Sequence, residues 1–228
     1  MQNRIINIAV VAEVAEALKD LKQNIVFVGG AVVSLYADDP ASDEIRPTQD
    51  VDLALNIINL SHWKDVQEKL GALGFHPDPF GHAICSYRYK DIQVDIMATD
   101  DDPFGSSNSW YKPGFKSLWS VRAHDQEIKI LSAPYYLATK FEAFNNRSKD
   151  YRTSHDIEDI VYVIDNRISI IKEVTESDLK VRSFLIKEIQ RMENKGLLTD
   201  VLMAHIHPLM IADRLPLVED KLKQIMGL

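Results

Sequence analysis

Apolar residues recur every three or four positions from residue 4 to 22, at Ile5, Ile6, Ile8, Val11, Val14, Ala15, Leu18 and Leu21. This period predicts a helix that lays one face against a sheet. The unbroken run Ile25–Val28 predicts a buried strand, closed by Gly29-Gly30 and followed by a short helix from about Ala31 to Tyr36. Asp38 to Thr48 is polar and holds Pro40 and Pro47, so it reads as a surface loop. At Asp50 the period changes to two, with Asp50 and Asp52 alternating with Val51 and Leu53. Ser61–Leu73 then predicts an amphipathic helix through Trp63, Val66 and Leu70, stopped by Gly74. Ile84–Tyr89 and Ile92–Met97 flank Lys90-Asp91 as a hairpin whose second strand carries Asp95. The mixture of Gly, Ser, Pro and aromatics from Pro103 to Trp119 fits no regular element and reads as packing over a sheet edge.

Beyond Leu131-Ser132-Ala133-Pro134 the pattern is helical almost throughout. Tyr136, Leu137, Phe141 and Phe144 mark one apolar face, and Ile157, Ile160, Val161 and Ile164 another behind the cap sequence Thr153-Ser154-His155-Asp156. Two more helices are expected, over about Ser177–Lys195 and Leu209–Met226. The expected fold is α/β (α+β): a small mixed β-sheet core with flanking helices in residues 1–131, followed by a mainly helical C-terminal domain in residues 132–228.

Composition narrows the classes. At 228 residues and 46% hydrophobic content the chain can bury a full core. No apolar run approaches the roughly 18 residues of a membrane span, and no basic-then-apolar leader is visible. With one cysteine, Cys85, there is neither an internal disulfide nor a cysteine zinc cluster, and a reducing cytoplasm is the expected home. A formal net charge of −8 argues against indiscriminate nucleic-acid binding but leaves room for a local basic groove.

Side chains two apart on a strand share a face, so Asp50 and Asp52 project together from a strand anchored by Val51 and Leu53. If the Asp95 strand pairs beside them, cross-strand neighbours about 5 Å apart bring three carboxylates within reach of a shared cation. Hard divalent ions take such oxygen ligands, and magnesium-dependent phosphoryl or nucleotidyl transfer needs them. Gly29-Gly30 at a helix start offers unpaired backbone N–H groups to phosphate. Each element also has a plainer reading: Gly-Gly as a turn, Asp-x-Asp as a solvated strand face. Arg46 is a phosphate clamp, a partner to the carboxylates or a solvated loop charge, and Lys140 either reaches a triphosphate or snorkels from an exposed face. Arg147, Lys149 and Arg152 form a basic cluster beside Asp150, while Asp156 and Asp159 either organise those cations or cap and solvate a helix. The aspartates at 100–102 read as a solvated run, and His205 and His207 as incidental.

Gly29-Gly30, the run Arg46-Pro47-Thr48-Gln49-Asp50-Val51-Asp52, the lone strand Asp95 and the later Lys140…Arg147-Ser148-Lys149-Asp150 together resemble the DNA polymerase β-type nucleotidyltransferase superfamily, and within it the AbiEii/MenT-like toxins of bacterial toxin–antitoxin systems. One departure is the stretch between Gly30 and Asp50, longer than the superfamily's usual spacing. The resemblance implies an NTP-dependent, pyrophosphate-releasing enzyme. Asp50, Asp52 and Asp95 would hold two Mg2+ ions, or Mn2+ in their place, with Asp95 also accepting the proton of the acceptor hydroxyl. Gly29, Gly30, Arg46, Thr48, Lys140, Arg147, Lys149 and Asp150 would contact nucleotide. The implied acceptor is tRNA or another RNA end, and the implied partner a cognate antitoxin. A small-molecule, antibiotic-modifying nucleotidyltransferase and a non-catalytic interaction module remain as alternatives.

Overall fold

The computed structural model describes residues 2–42, 45–48, 50–55, 60–81, 85–99, 108–147 and 150–228. They form two compact units, one of Met1–Leu35 with Glu44–Ser132 and the other of Tyr36–Asp43 with Ala133–Leu228. The second unit therefore takes a piece of the long stretch between Gly30 and Asp50.

The first unit is built on a seven-stranded mixed sheet. Its strands are β1 (Ile25–Val28), β2 (Asp50–Leu55), β3 (His76–Pro77), β4 (Ser86–Tyr89), β5 (Ile92–Ala98), β6 (Leu118–Ala123) and β7 (Gln126–Leu131), in spatial order β3-β4-β5-β2-β1-β7-β6. β2 runs parallel to β5 and β1 parallel to β7, while the other neighbours are antiparallel. All four residues of β1 are buried, as an apolar run at a sheet centre requires. Helix α1 (Gln2–Leu18) runs on into a 3-10 helix at Lys19–Asn24 and packs against β2, β6 and β7. Helix α2 (Leu60–Ala72) buries Trp63, Val66 and Leu70 and ends at Gly74, whose φ of +89° only glycine adopts without strain.

The short helix expected after the glycine pair is present, as a 3-10 helix over Gly30–Tyr36. The region around Trp119 is not irregular to its end: Trp119 sits on β6 opposite Ile130, in a hairpin with β7 that turns at His124-Asp125. That turn is made by His124 at φ +52° in place of a glycine, so the usual composition signal for a hairpin is missing. Between Pro103 and β6 only the one-turn helix α3 (Tyr111–Gly114) is regular among the described residues.

The second unit holds α4 (Ala133–Arg147), α5 (His155–Asn166), α6 (Ile170–Thr175), α7 (Leu179–Asn194), α8 (Leu198–His205) and α9 (Ile211–Met226). Helix α4 packs on α5, α6 and α7, and α9 on α5, α6, α7 and α8. Its core includes Tyr136, Leu137, Phe141, Ile157, Ile160, Leu185, Ile189, Val218 and Leu222, at the apolar positions the 3.6-residue period marks. Helices α6 and α8 are additional to the two expected after residue 166, being only 6 and 8 residues long and too short to show a period. Ser154 occupies the N-cap of α5 with extended backbone, but its side chain makes no capping bond.

The strap of residues 36–42 is pinned to these helices by charge as well as by packing. Tyr36 stacks on Tyr136 with ring centroids 4.3 Å apart. The N–H groups of Asp38 and Asp39 both donate to the Asn166 carbonyl at 3.1 Å. Arg214 on α9 reaches Asp39 at 2.7 Å, Asp165 at 2.8 Å and the Asn166 side-chain oxygen at 2.8 Å. Lys221 donates to the carbonyls of Ile164, Asp165 and Arg167, which the end of α5 leaves without helical partners. The Ala41 N–H and the Arg214 guanidinium hold the Asp39 carboxyl below its ordinary range. Since Arg214 is buried, removing it strands Asp165 and the Asn166 amide. Arg214→Ala is expected to cost about 3 kcal/mol and to speed hydrogen exchange at the Asp38 and Asp39 amides. An unaltered melting temperature with unaltered exchange at those amides would show that the guanidinium does not hold the strap.

Candidate metal centre

The centre forms where β2 and β5 run side by side. Their parallel register sets Asp52 directly opposite Asp95, and Asp50 opposite Gln93. Val51, Leu53, Val94 and Ile96 on the other face are fully buried, which fixes both strands against slipping by one residue and keeps the carboxylates on a common side. One oxygen from each of Asp50, Asp52 and Asp95 lies within 4.8 Å of the other two. Oxygen ligands of one octahedral Mg2+ stand about 3 to 4 Å apart at its bond length of about 2.1 Å, so side-chain rotation alone closes the set. No other group of three or more candidate ligands is found among the described residues.

The hydrogen bonding is consistent with a cation. Gln93 donates to one oxygen of Asp95 at 3.3 Å, while the other, Oδ1, is buried with no hydrogen-bond partner among the described residues. A buried carboxylate oxygen left unpaired is costly, and a cation is the partner that the neighbouring Asp50 and Asp52 suit. The Thr48 hydroxyl donates to Oδ1 of Asp50 in a short bond. Cys85 lies half-buried near Asp95; burial, and then the Asp95 charge, push its thiol above the usual range.

Gly29 has a role that the sequence does not show. It follows Val28, which pairs with Asp52, and takes φ +73°. A Cβ built on it falls 1.8 Å from Oδ2 of Asp52. The residue is thus glycine for two reasons, backbone conformation and the space that the Asp52 carboxylate fills. Gly30 opens the 3-10 helix that ends at Tyr36; seven residues of that geometry do not supply the aligned α-helical N-terminus expected for phosphate. Arg46 and Thr48 lie in the loop that leads into β2, both half-buried.

The remaining predicted residues belong to the second unit. Lys140 does not snorkel: its side chain is 9% exposed, and its amine sits 2.6 Å from Asp159 and 3.5 Å from Asp156 on α5. Arg147 joins the same Asp156 at 3.2 Å. Asp150 is exposed and pairs with Arg152, whose backbone N–H is the main cause holding the carboxyl below its ordinary range. Lys149 and the aspartates at 100–102 lie outside the described residues. His205 bonds the Tyr151 carbonyl on a distant stretch of chain at 2.8 Å, and His207 accepts the N–H of Leu209 two residues on.

A mixed sheet with three carboxylates on two adjacent strands is an arrangement that can hold divalent cations. The family model described as "Nucleotidyl transferase AbiEii toxin, Type IV TA system" matches residues 14–222, and the chain belongs to that family of nucleotidyltransferases. None of the curated proteins matches it. Among solved structures it is similar to an antigenic nucleotidyltransferase-like protein from Paracoccidioides brasiliensis, at 21% identity over 88% of this chain and 93% of that one, with a TM-score of 0.50. It is also similar to JHP933 from Helicobacter pylori, at 11% identity over 100% of this chain and 90% of that one, with a TM-score of 0.48. The first likeness supports the fold. No helix among the described residues is long and apolar enough to cross a membrane.

Gly29→Ala tests the packing of the centre. The variant must move the Asp52 carboxylate or the β1–β2 pairing, and the positive φ alone costs about 1 kcal/mol or more. We expect a lower melting temperature and a smaller rise in it on adding Mg2+ than the wild-type protein shows. A folded Gly29→Ala protein with wild-type Mg2+ stabilisation would show that Asp52 is not held where a cation binds.

Proposed function

We propose that this protein transfers a nucleoside monophosphate from a nucleoside triphosphate to the hydroxyl of an RNA end, foremost of tRNA, as the toxin of a bacterial toxin–antitoxin pair held in check by a cognate antitoxin. The cytoplasm, where such acceptors lie, is the proposed compartment. Family membership supports nucleotidyl transfer and the toxin–antitoxin setting. The observation that carries the site is the register-matched carboxylate cluster with its buried, unpartnered Asp95 oxygen.

In this reading Asp50, Asp52 and Asp95 hold two Mg2+ ions, or Mn2+, which when bound neutralise the carboxylates and polarise the phosphoryl oxygens. Asp95 also takes the proton from the acceptor hydroxyl, whose oxygen attacks the α-phosphate as pyrophosphate leaves. An anionic carboxylate suits that role because it has acceptor capacity to spare on Oδ1. Gly29 and Gly30 directly follow β1, Arg46 and Thr48 precede β2, and all four are proposed to contact the nucleotide. Lys140, Arg147, Lys149 and Asp150 are proposed to serve phosphate groups of nucleotide or RNA. Supporting this for Lys140 is its pairing with two aspartates, which orients the amine.

Incubation with labelled nucleoside triphosphates and total RNA tests the acceptor: label in the tRNA band is expected, and label only in small molecules would overturn the RNA reading. Asp50→Asn, Asp52→Asn and Asp95→Asn test the centre. Each is expected to cut incorporation at least about a hundredfold, since several kcal/mol of charge stabilisation are at stake. Because clustered carboxylates repel one another when no cation is present, each variant is also expected to melt no lower than wild type in metal-free buffer. Wild-type incorporation, or a stability loss equal with and without Mg2+, would overturn the assignment.

A further inference from the structure

The loop that delivers Asp50 to the centre is gripped by a residue far away in sequence. Asn7 on α1 is 1% exposed. Its amide nitrogen donates to the Arg46 carbonyl at 3.1 Å, and its amide oxygen accepts the Thr48 N–H at 3.1 Å. One planar group thus meets two backbone groups two residues apart, as an adjacent strand would. Thr48 in turn donates its hydroxyl to Asp50. A continuous line of bonds therefore runs from a buried helix position to a carboxylate of the cluster.

We propose that Asn7 is a positioning residue for the metal centre: through the backbone of residues 46–48 it sets the Thr48 hydroxyl, which fixes the orientation of the Asp50 carboxylate. This rests on the metal-centre reading above. The chemistry selects an amide. Arg46 presents an acceptor and Thr48 a donor, so the gripping group must both donate and accept at once; a carboxylate cannot donate, and a hydroxyl is too short to span both. Burial makes the demand strict, because either backbone group left without its partner away from water is costly. Partners outside the ligand shell commonly set ligand orientation and metal affinity, which is the effect expected here.

The test measures Mn2+ affinity, from the paramagnetic resonance of free Mn2+, for wild type, Asn7→Ala, Asn7→Asp, Thr48→Val and the two double variants. Asn7→Ala removes both bonds; Asn7→Asp keeps the acceptor for Thr48, loses the donor to Arg46, and carries the test should Asn7→Ala fail to fold. Each Asn7 variant, and Thr48→Val, is expected to weaken Mn2+ binding about tenfold, the low end for outer-shell partners of metal ligands. In the Thr48→Val background the Asn7 substitutions are expected to add little, because both act on the same bond to Asp50. A purely structural role would instead add its full effect in either background, and that result overturns the proposal. Wild-type Mn2+ affinity in a cooperatively melting Asn7 variant overturns it alone, whereas absence of Mn2+ binding by the wild-type protein overturns the metal-centre reading with it.

Discussion

Like charges in direct register on two adjacent strands are the constraint around which the first unit is organised. Two carboxylates within 4.8 Å repel by about 3 kcal/mol at an effective dielectric of about 20, and the cluster contains three. A sheet tolerates this only if something else holds the strands in place. Here that is the other face of β2 and β5, where Val51, Leu53, Val94 and Ile96 are buried to 1% exposure or less. The apolar face keeps the register that the acidic face would loosen. A cation among them would reverse the sign of the acidic term, so that the same geometry would favour its binding.

The second unit uses charge for a different purpose. Lys140 with Asp156 and Asp159, and Arg214 with Asp39 and Asp165, are buried cation–carboxylate groups that tie α4 to α5 and α9 to the strap at 36–42. Buried pairs of this kind contribute little net stability against an apolar replacement but penalise any arrangement that separates them. They therefore specify which helices meet and where the strap lies. The extra length between Gly30 and Asp50 is spent there: part of it leaves the sheet unit, joins the helical one and returns as the loop carrying Arg46 and Thr48.

How much of this was legible depended on whether a residue's role was written in its neighbours. Period-two alternation gave β2 and β5, and with them the shared face of Asp50, Asp52 and Asp95, because burial of one strand face dictates the other. The hairpin of β6 and β7 was not legible, since its turn residue His124 carries no turn signal and its faces are only partly buried. Gly29 was legible as a turn but not as the space for the Asp52 carboxylate, which depends on the register of Val28 with Asp52. The burial of Lys140 depends on Asp159 coming from another helix, and Asn7 sits in a stretch that reads only as an amphipathic helix. Such roles are set by long-range contacts, which local pattern does not encode.

The claim on which all else rests is that the β2–β5 carboxylates share a divalent cation. Crystals grown or soaked with Mn2+ and measured for anomalous scattering test it directly. The account predicts an anomalous peak among Asp50, Asp52 and Asp95, at coordination distance from all three. Crystals whose only Mn2+ peaks lie elsewhere, or which show none at saturating Mn2+, would contradict it.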